Sequence, residues 1–521
     1  MMAPHWFPRT CALICCYLLS GSVTTTTTAA AAAAAQQQRN ISVIVLLPFD
    51  NSYLFSMARV RPALEFAIEA TERDGARGGR RFSLRFADST CGNQALFAAV
   101  DLHGERAPDL IVGPACVYAA APVVRLAGHW DVPVVTAGAL AAGFGAKQGE
   151  YAMLTRVAPS YHKLGVFFLD LLRSFQWSRV SLVYHDDHEE RSCYFAAEGI
   201  HLALSESENF LVKIDGFNEE KKESYEDVVE DIRSTGRVVV ICASGDTVRN
   251  IMLEAQRKGM TNGDFVFFNI ELFNSTVYGN GNWLRDDGRN DEARRAFRAL
   301  KTVTLLRSVR PEFEEFTVAM RQRSLAQHGF DYGNDQVNMF VEGFHDAMVL
   351  YALALRDALS SAGNQQAEQP SGLEVTRLMW NRTFQGIAGP VSIDDNGDRE
   401  GDFSVLGMTD GDTGKQEVIT NYYGARRAFE NTAAMELSWP GGSPPPNTPL
   451  CALCNHVVRS SAVSGVVIGG FVLCAAVLIA AYVVRRRYTV VVMRRSRLHG
   501  EDLEKHSRLR EDSVRSHFSE A

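Results

Sequence analysis

The sequence predicts an α/β ectodomain of two lobes, joined by one membrane helix to a short basic tail. Between residue 41 and about residue 435, apolar runs of strand length alternate with longer amphipathic stretches, the pattern of parallel sheet covered by helices on both faces. That alternation extends over about 400 residues, more than a single core sustains, so two lobes are expected. Beyond it, residues 462–484 contain no charged side chain and are long enough to cross a hydrocarbon core of about 30 Å.

In chain order, Arg9 precedes the short apolar stretch CALICCYLLS and the small residues Gly21 and Ser22, which reads as a signal peptide too short to span a membrane. Threonine and alanine tracts follow, so residues 1–38 are expected to be signal peptide and low-complexity leader, with the binding domain at 39–435. In the first lobe ISVIVLL (41–47), RFSLRFA (81–87), DLIVG (109–113) and VPVVT (132–136) are buried-strand candidates. Helical spacing falls between them at 57–72, 94–102 and 119–130. The same alternation resumes in the second lobe with RVSLVYH (179–185), NFLVKID (209–215), RVVVICA (237–243) and DFVFFNI (264–270). A long helix over 335–359 is expected to return the chain to the first lobe, and the hairpin-like stretch 391–408 is expected near the hinge.

Residues 436–461 read as a stalk, marked by WPGGSPPPNTP, whose proline density favours an extended spacer. Cys451 and Cys454 lie in it. A CxxC pair with only His456 nearby lacks the four ligands of structural zinc, and a bridge between two chains fits an exposed stalk better. Ser461, Gly465 and Gly469 give the following span a small-residue face suited to helix pairing, so a homodimer is expected. Arg485, Arg486 and Arg487 follow the span, with Arg494, Arg495 and Arg497 beyond, whereas Arg459 alone precedes it. Positive charge inside predicts a type I topology with a cytoplasmic C-terminus, and the plasma membrane is the expected location. The tail at 485–521 is shorter than the roughly 40 residues below which a domain rarely folds unaided, so no enzyme is expected there.

Of the ten cysteines, Cys11, Cys15 and Cys16 fall in the signal peptide and Cys474 in the span. Cys91 and Cys116 follow strands of the first lobe, and Cys193 and Cys242 follow strands of the second. Of the three pairings four cysteines permit, the within-lobe one is expected; it closes loops of about 25 and 49 residues, each worth a few kcal/mol. Sequons at Asn40, Asn274 and Asn381 fall on the same, exterior side.

The chain carries a net charge of −8, and its leader and tail are basic, so the ectodomain holds more than the whole acidic excess. Such a surface steers cationic ligands and disfavours nucleic acid. Enzyme signatures fail on inspection. Gly138 and Gly143 have phosphate-loop spacing, but Phe144 stands where lysine is required. SIDDNGDREGD has a calcium loop's composition, yet Arg399 takes the glycine position. HDDHEE (185–190) reads as a solvated loop in preference to a metal site. No catalytic residue, metal ligand or organic cofactor is expected.

Open α/β sheets bind ligands beyond their strand tips. The loops there carry Tyr118, Arg125, Tyr184, then Cys193-Tyr194-Phe195 with Glu198, and Phe217. Aromatic rings supply rigid apolar area and the charges fix orientation, a combination suited to peptide capture.

The stretches DLIVGPACVYAAAPVVRLAGHWDVPVVTAGA, VFFNIELFNST, VNMFVEGFHDA, MWNRTFQGIAGPVSIDDNGDREGDFSV and KHSRLREDSVRSHFSEA closely resemble the natriuretic peptide receptors, over nearly all of residues 40–521. The ending REDSVRSHFS resembles the type C, or clearance, branch, not the guanylyl cyclase members, which continue with kinase-like and cyclase domains. The resemblance implies a periplasmic-binding-protein-like (type I) ectodomain that holds one natriuretic peptide between two protomers of a homodimer. Positions matching the family's hormone contacts are Tyr118, Arg125, Tyr184, Tyr194, Phe195, Ala197, Glu198 and Phe217. A chloride ion is implied at Ser89 and the backbone amides of Ala115 and Cys116, where N–H groups after a strand can form an anion nest. Also implied are hormone clearance by internalisation and engagement of an inhibitory G protein α subunit by the basic clusters 494–497 and 505–510. The same two-lobed fold elsewhere closes on amino-acid-like small molecules, and a sensor of that kind is the alternative reading.

Overall fold

Seven consecutive buried residues, Ile41–Leu47, form β1, and a strand with no exposed side chain must lie in the middle of a sheet covered on both faces. The computed structural model places it there and describes residues 40–73, 81–188, 190–207, 209–221, 225–272, 281–306, 310–361, 370–447 and 475–485. After β1 come helix α1 (Met57–Arg73), β2 (Phe82–Asp88), α2 (Gln94–Glu105), β3 (Leu110–Val112), α3 (Val117–Trp130), β4 (Val134–Thr136) and β5 (Leu154–Pro159). These strands are parallel in the order β2-β1-β3-β4-β5.

The second lobe repeats the plan. Helix α4 (Tyr161–Ser174) leads into β6 (Arg179–His185), α5 (Ser192–Ser205), β7 (Leu211–Phe217), α6 (Tyr225–Thr235), β8 (Val238–Cys242), α7 (Gly245–Arg257), β9 (Val266–Ile270), α8 (Asn290–Phe297) and β10 (Leu300–Leu305). Its parallel order is β7-β6-β8-β9-β10, so each lobe has one switch point, where the connections leave the first strand and the third on opposite sides. The two-sheet architecture expected from the apolar alternation is therefore present. The fifth strand of each lobe is not evident in the apolar pattern.

The chain then crosses back. Helices α9 (Pro311–His328) and α10 (Met339–Ser361) pack on α1, and α11 (Gly372–Met379) packs on α10. The helix expected from residue 335 starts later, because the Asn338 carboxamide accepts the backbone N–H groups of Phe340 and Val341 at 3.0 and 3.4 Å and caps the helix there. Strands β11 (Arg382–Gln385), β12 (Pro390–Ile393) and β13 (Asp398–Arg399) extend the first sheet, while β14 (Phe403–Asp410), β15 (Lys415–Tyr423) and β16 (Ala428–Asn431) extend the second. The stretch 391–408 is thus not one hairpin: β12 and β13 pair in the first lobe, β14 pairs with β10 in the second, and the chain passes between the sheets at residues 400–402.

Charged side chains secure this passage. Asp398 is buried and accepts from Arg156 Nε and Nη2 at 2.7 and 2.6 Å and from Lys147 Nζ at 2.9 Å. Lys163 of α4 reaches Asp394 at 2.8 Å and Glu400 at 2.9 Å. The start of the proline-rich stretch expected as an extended spacer is docked on the second lobe. Trp439 is buried against Phe175, Trp177 Nε1 donates to the Pro445 carbonyl at 2.8 Å, and Asn447 Oδ1 accepts the Ser178 amide at 2.7 Å. Residues 475–485 are helical, but most of the expected span 462–484 lies outside the described residues, as do Cys451, Cys454 and the tail from 486. No helix among the described residues is long and apolar enough to cross a membrane.

Candidate functional site

Both disulfides form as expected, Cys91 with Cys116 and Cys193 with Cys242, each with Cα atoms 5.3 Å apart. They sit where the strands end. The first ties the segment after β2 to the N-terminus of α3; the second ties the N-terminus of α5 to the end of β8. Each therefore fixes a helix at the rim from which candidate contacts project.

Close backbone contact fixes α5 further. Gly165 of α4 meets Gly199 of α5, and a Cβ on Gly199 would lie 2.5 Å from the Tyr161 carbonyl oxygen. Only glycine permits this crossing, which sets how far Tyr194, Phe195 and Glu198 stand forward. From there a run of rings spans the two lobes. Tyr184 at the end of β6 lies 5.9 Å from Tyr194, Tyr194 lies 5.3 Å from Phe195, and Phe195 lies 5.8 Å from Tyr118 on α3 of the first lobe. The interplanar angles, 59 to 68°, are those favoured by aromatic quadrupoles. Tyr118 is 47% exposed, a large aromatic surface left in water. Tyr194 Oη donates to Glu198 Oε1 at 3.4 Å, which places a carboxylate beside the rings.

Arg191 belongs to this group and was not singled out by its sequence context. Its guanidinium lies 3.9 Å from the centre of the Tyr194 ring and donates to both oxygens of Asp186, at 2.9 and 2.7 Å. The Asp186 hydrogen bonds raise the arginine further above its ordinary pKa, with a smaller contribution from the Tyr118 hydroxyl, and the arginine in turn lowers the aspartate. The only local signal was an arginine just ahead of Cys193-Tyr194-Phe195; its left-handed backbone, φ 54°, emerges only in the fold.

The remaining expected contacts are placed differently. Arg125 shares α3 with Tyr118 but is engaged with Glu150 and the Tyr151 hydroxyl, both at 2.7 Å. Ala197 is 4% exposed, and Phe217, opposite His185 in the β6–β7 ladder, is 6% exposed within the second-lobe core. Asn40 and Asn381 are exposed, and Asn274 lies outside the described residues. Ser89 is buried and its hydroxyl donates to the Thr90 carbonyl at 2.8 Å, while Ala115 and Cys116 are buried at the N-terminus of α3.

Two cavities open near the strand tips. One, of about 270 Å³, is bordered by Cys91, Cys116, Tyr118 and Phe195; the other, of about 450 Å³, lies between the loop after β1 and the ends of β6, β8 and β9.

Residues 59–411 match the family described as the receptor family ligand binding region. The chain is 48% identical over 502 residues to atrial natriuretic peptide receptor 3 of Homo sapiens, covering 93% of this chain and 91% of that protein. The chain belongs to the natriuretic peptide receptor family. The type 3 receptor of Bos taurus is equally similar, at 48%. Atrial natriuretic peptide receptor 2 of Homo sapiens is 35% identical over 80% of this chain but only 40% of its own length. Within this family member, the aromatic run joins the two lobes of the ligand-binding region.

Proposed function

We propose that this chain is a single-pass cell-surface receptor that binds natriuretic peptides and clears them by internalisation, without enzyme activity of its own. The observation that carries this reading is the extent of the likeness to the human type 3 receptor, which runs through 93% of the chain and 91% of that protein. Residues 462–484 would form the span, with the arginines from 485 inward. Two protomers would pair through the stalk cysteines Cys451 and Cys454 and the small-residue face of the span. The clusters at 494–497 and 505–510 would present positive charge to an inhibitory G protein α subunit.

The peptide would rest against Tyr118, Tyr184, Tyr194 and Phe195, with Glu198 and Arg125 orienting its charges and the buried Ala197 and Phe217 holding the surface in shape. Cationic and apolar side chains on a bound peptide would suit ring faces and a carboxylate on an acidic ectodomain. Chloride fits the first-lobe rim in chemistry. The amides of Ala115 and Cys116 lie at the positive end of α3, and the Ser89 hydroxyl would join them by turning from the Thr90 carbonyl.

Competition binding on cells expressing the full chain tests the reading. Labelled natriuretic peptide should bind saturably, be displaced by unlabelled peptide, and enter warm but not chilled cells. Absence of saturable binding would sink the proposal, and a rise of cyclic GMP in cells given only this chain would contradict its non-enzymatic part.

A further inference from the structure

Arg191 stands between the lobes, within the aromatic run. Its backbone is left-handed, φ 54°, at the residue just ahead of α5, and its side chain makes no capping hydrogen bond there. Asparagine would suit that position better, so what the arginine contributes lies at the far end of its side chain. Asp186 holds that end in place. This aspartate follows β6 directly, its amide donates to the Phe217 carbonyl at 2.9 Å, and its two carboxylate oxygens accept the guanidinium as a fork. The turn is secured again where the Arg191 amide donates to Asp187 Oδ1 at 2.7 Å.

Fixed in this way, the guanidinium faces rings from both lobes. It lies 3.9 Å from the centre of the Tyr194 ring in the second lobe, well within the range of cation–π attraction. The Tyr118 hydroxyl of the first lobe adds to the stabilisation of the same charge. Tyr118 in turn meets Phe195 at 5.8 Å, and the neighbours of Arg191, Glu190 and Ser192, line one crevice with Cys91, Cys116 and Tyr118. Glu190 Oε1 comes within 4.0 Å of Cys91 Sγ. The segment that carries Arg191 therefore abuts the first-lobe rim, and the half-exposed Tyr118 has partners that fix where its ring stands. A ring held before a ligand arrives costs less ordering on binding than one that must then be immobilised.

We propose that Arg191 is a positioning residue for peptide binding: it clasps Tyr118 of the first lobe to Tyr194 of the second, so that a peptide meets the rings as one preformed surface. The inference rests on the peptide-binding reading for its functional half; the clasp itself is a property of the unliganded chain.

Two variants of the full-length chain test it. Arg191→Asn suits the left-handed backbone and can cap α5, so it should fold with an unfolding midpoint near that of wild type while losing the clasp. Arg191→Lys keeps the charge but not the planar fork. Labelled natriuretic peptide should bind each variant about tenfold more weakly than wild type. Tyr118→Phe should weaken wild type about threefold and have no further effect beside Arg191→Asn, because the hydroxyl acts through the arginine. Full affinity in Arg191→Lys would overturn the proposal by reducing the residue to a charge. Unchanged or raised affinity in Arg191→Asn would also overturn it, the latter by showing that the arginine competes with the peptide for the Tyr194 face. Additive losses in the Tyr118→Phe pair would separate Arg191 from Tyr118 and overturn it as well. A second measurement needs no hormone: with fluorotyrosine in place of Tyr118, the fluorine resonance should sharpen and move toward that of the free amino acid in both Arg191 variants. An unmoved resonance overturns the clasp. Wild type without saturable peptide binding would instead sink the hormone reading, and the fluorine signal would still decide the clasp.

Discussion

Lys301 of β10 is completely buried, and its ammonium donates to the Ser438 carbonyl at 2.5 Å, where the chain leaves the second lobe. It also lies 4.9 Å from the centre of the Trp439 ring. Among the described residues no carboxylate pairs with it. A lone buried ammonium is costly unless it loses its proton, and burial, reinforced by Arg298, brings this one down to about 7.

The docked segment should therefore respond to pH. Between about 7 and the ordinary lysine value of 10.5 the unfolded chain holds one more proton than the folded one, so stability rises with pH across that window. Below it both states are protonated and the cost of the buried cation is fully felt. Lys301→Met removes this dependence: urea unfolding between pH 7 and 9 should give wild type a steeper gain in stability than the variant. Parallel profiles would mean that the Lys301 amine is hydrated.

Asp398 makes the opposite case, a buried carboxylate with two cations. Burial alone would raise its pKa, but Arg156 and Lys147 hold it far below the carboxylate range. Its contribution is present above 3.8 and lost only as pH falls through the lowered value, so it persists in mild acid. Asp398→Asn leaves both cations buried beside a neutral amide and should cost about 3–5 kcal/mol in equilibrium unfolding. A loss near zero would mean that water reaches Arg156.

These two clusters also explain what the sequence concealed. The apolar runs of β1, β3, β6 and β8 were legible because every partner they need is another apolar face. β5 and β10 were not, because each carries a buried cation, Arg156 or Lys301, whose acceptor arrives 242 or 137 residues later in the chain. Local periodicity cannot register such a partner. The same limit applies at the site: Tyr118, Tyr194 and Phe195 were recognisable by type and by family likeness, whereas the place of Arg191 depends on Asp186 and on its own turn of backbone. Ala197 was singled out by family likeness alone and Phe217 also by its place at a strand tip, and their burial is a property of the packed lobe.

The two disulfides offer a comparison within one chain. They close loops of 25 and 49 residues, and loop entropy makes the longer one more stabilising by about 0.6 kcal/mol. Replacing each pair by alanine should cost about 2–5 kcal/mol, with loss of Cys193–Cys242 the more damaging in urea unfolding. If loss of Cys91–Cys116 costs more, that bridge acts mainly on the folded rim, where it joins the loop after β2 to α3.

Exposure divides the proposed peptide contacts into side chains open to solvent and side chains packed inside a lobe. Tyr118 has 47% of its surface in water, so Tyr118→Ala should leave stability within about 0.5 kcal/mol. It should weaken natriuretic peptide binding by about 2 kcal/mol, as loss of a central aromatic contact does. Phe217 is 6% exposed in the second-lobe core, and Phe217→Ala should cost about 3–5 kcal/mol of stability, so any loss of binding would follow from damage to the lobe. Phe217→Leu distinguishes the cases, because it largely retains the apolar filling at a cost under about 1.5 kcal/mol. Competition binding on that variant should give near wild-type affinity; a tenfold loss with an unchanged unfolding midpoint would make the Phe217 ring itself a contact.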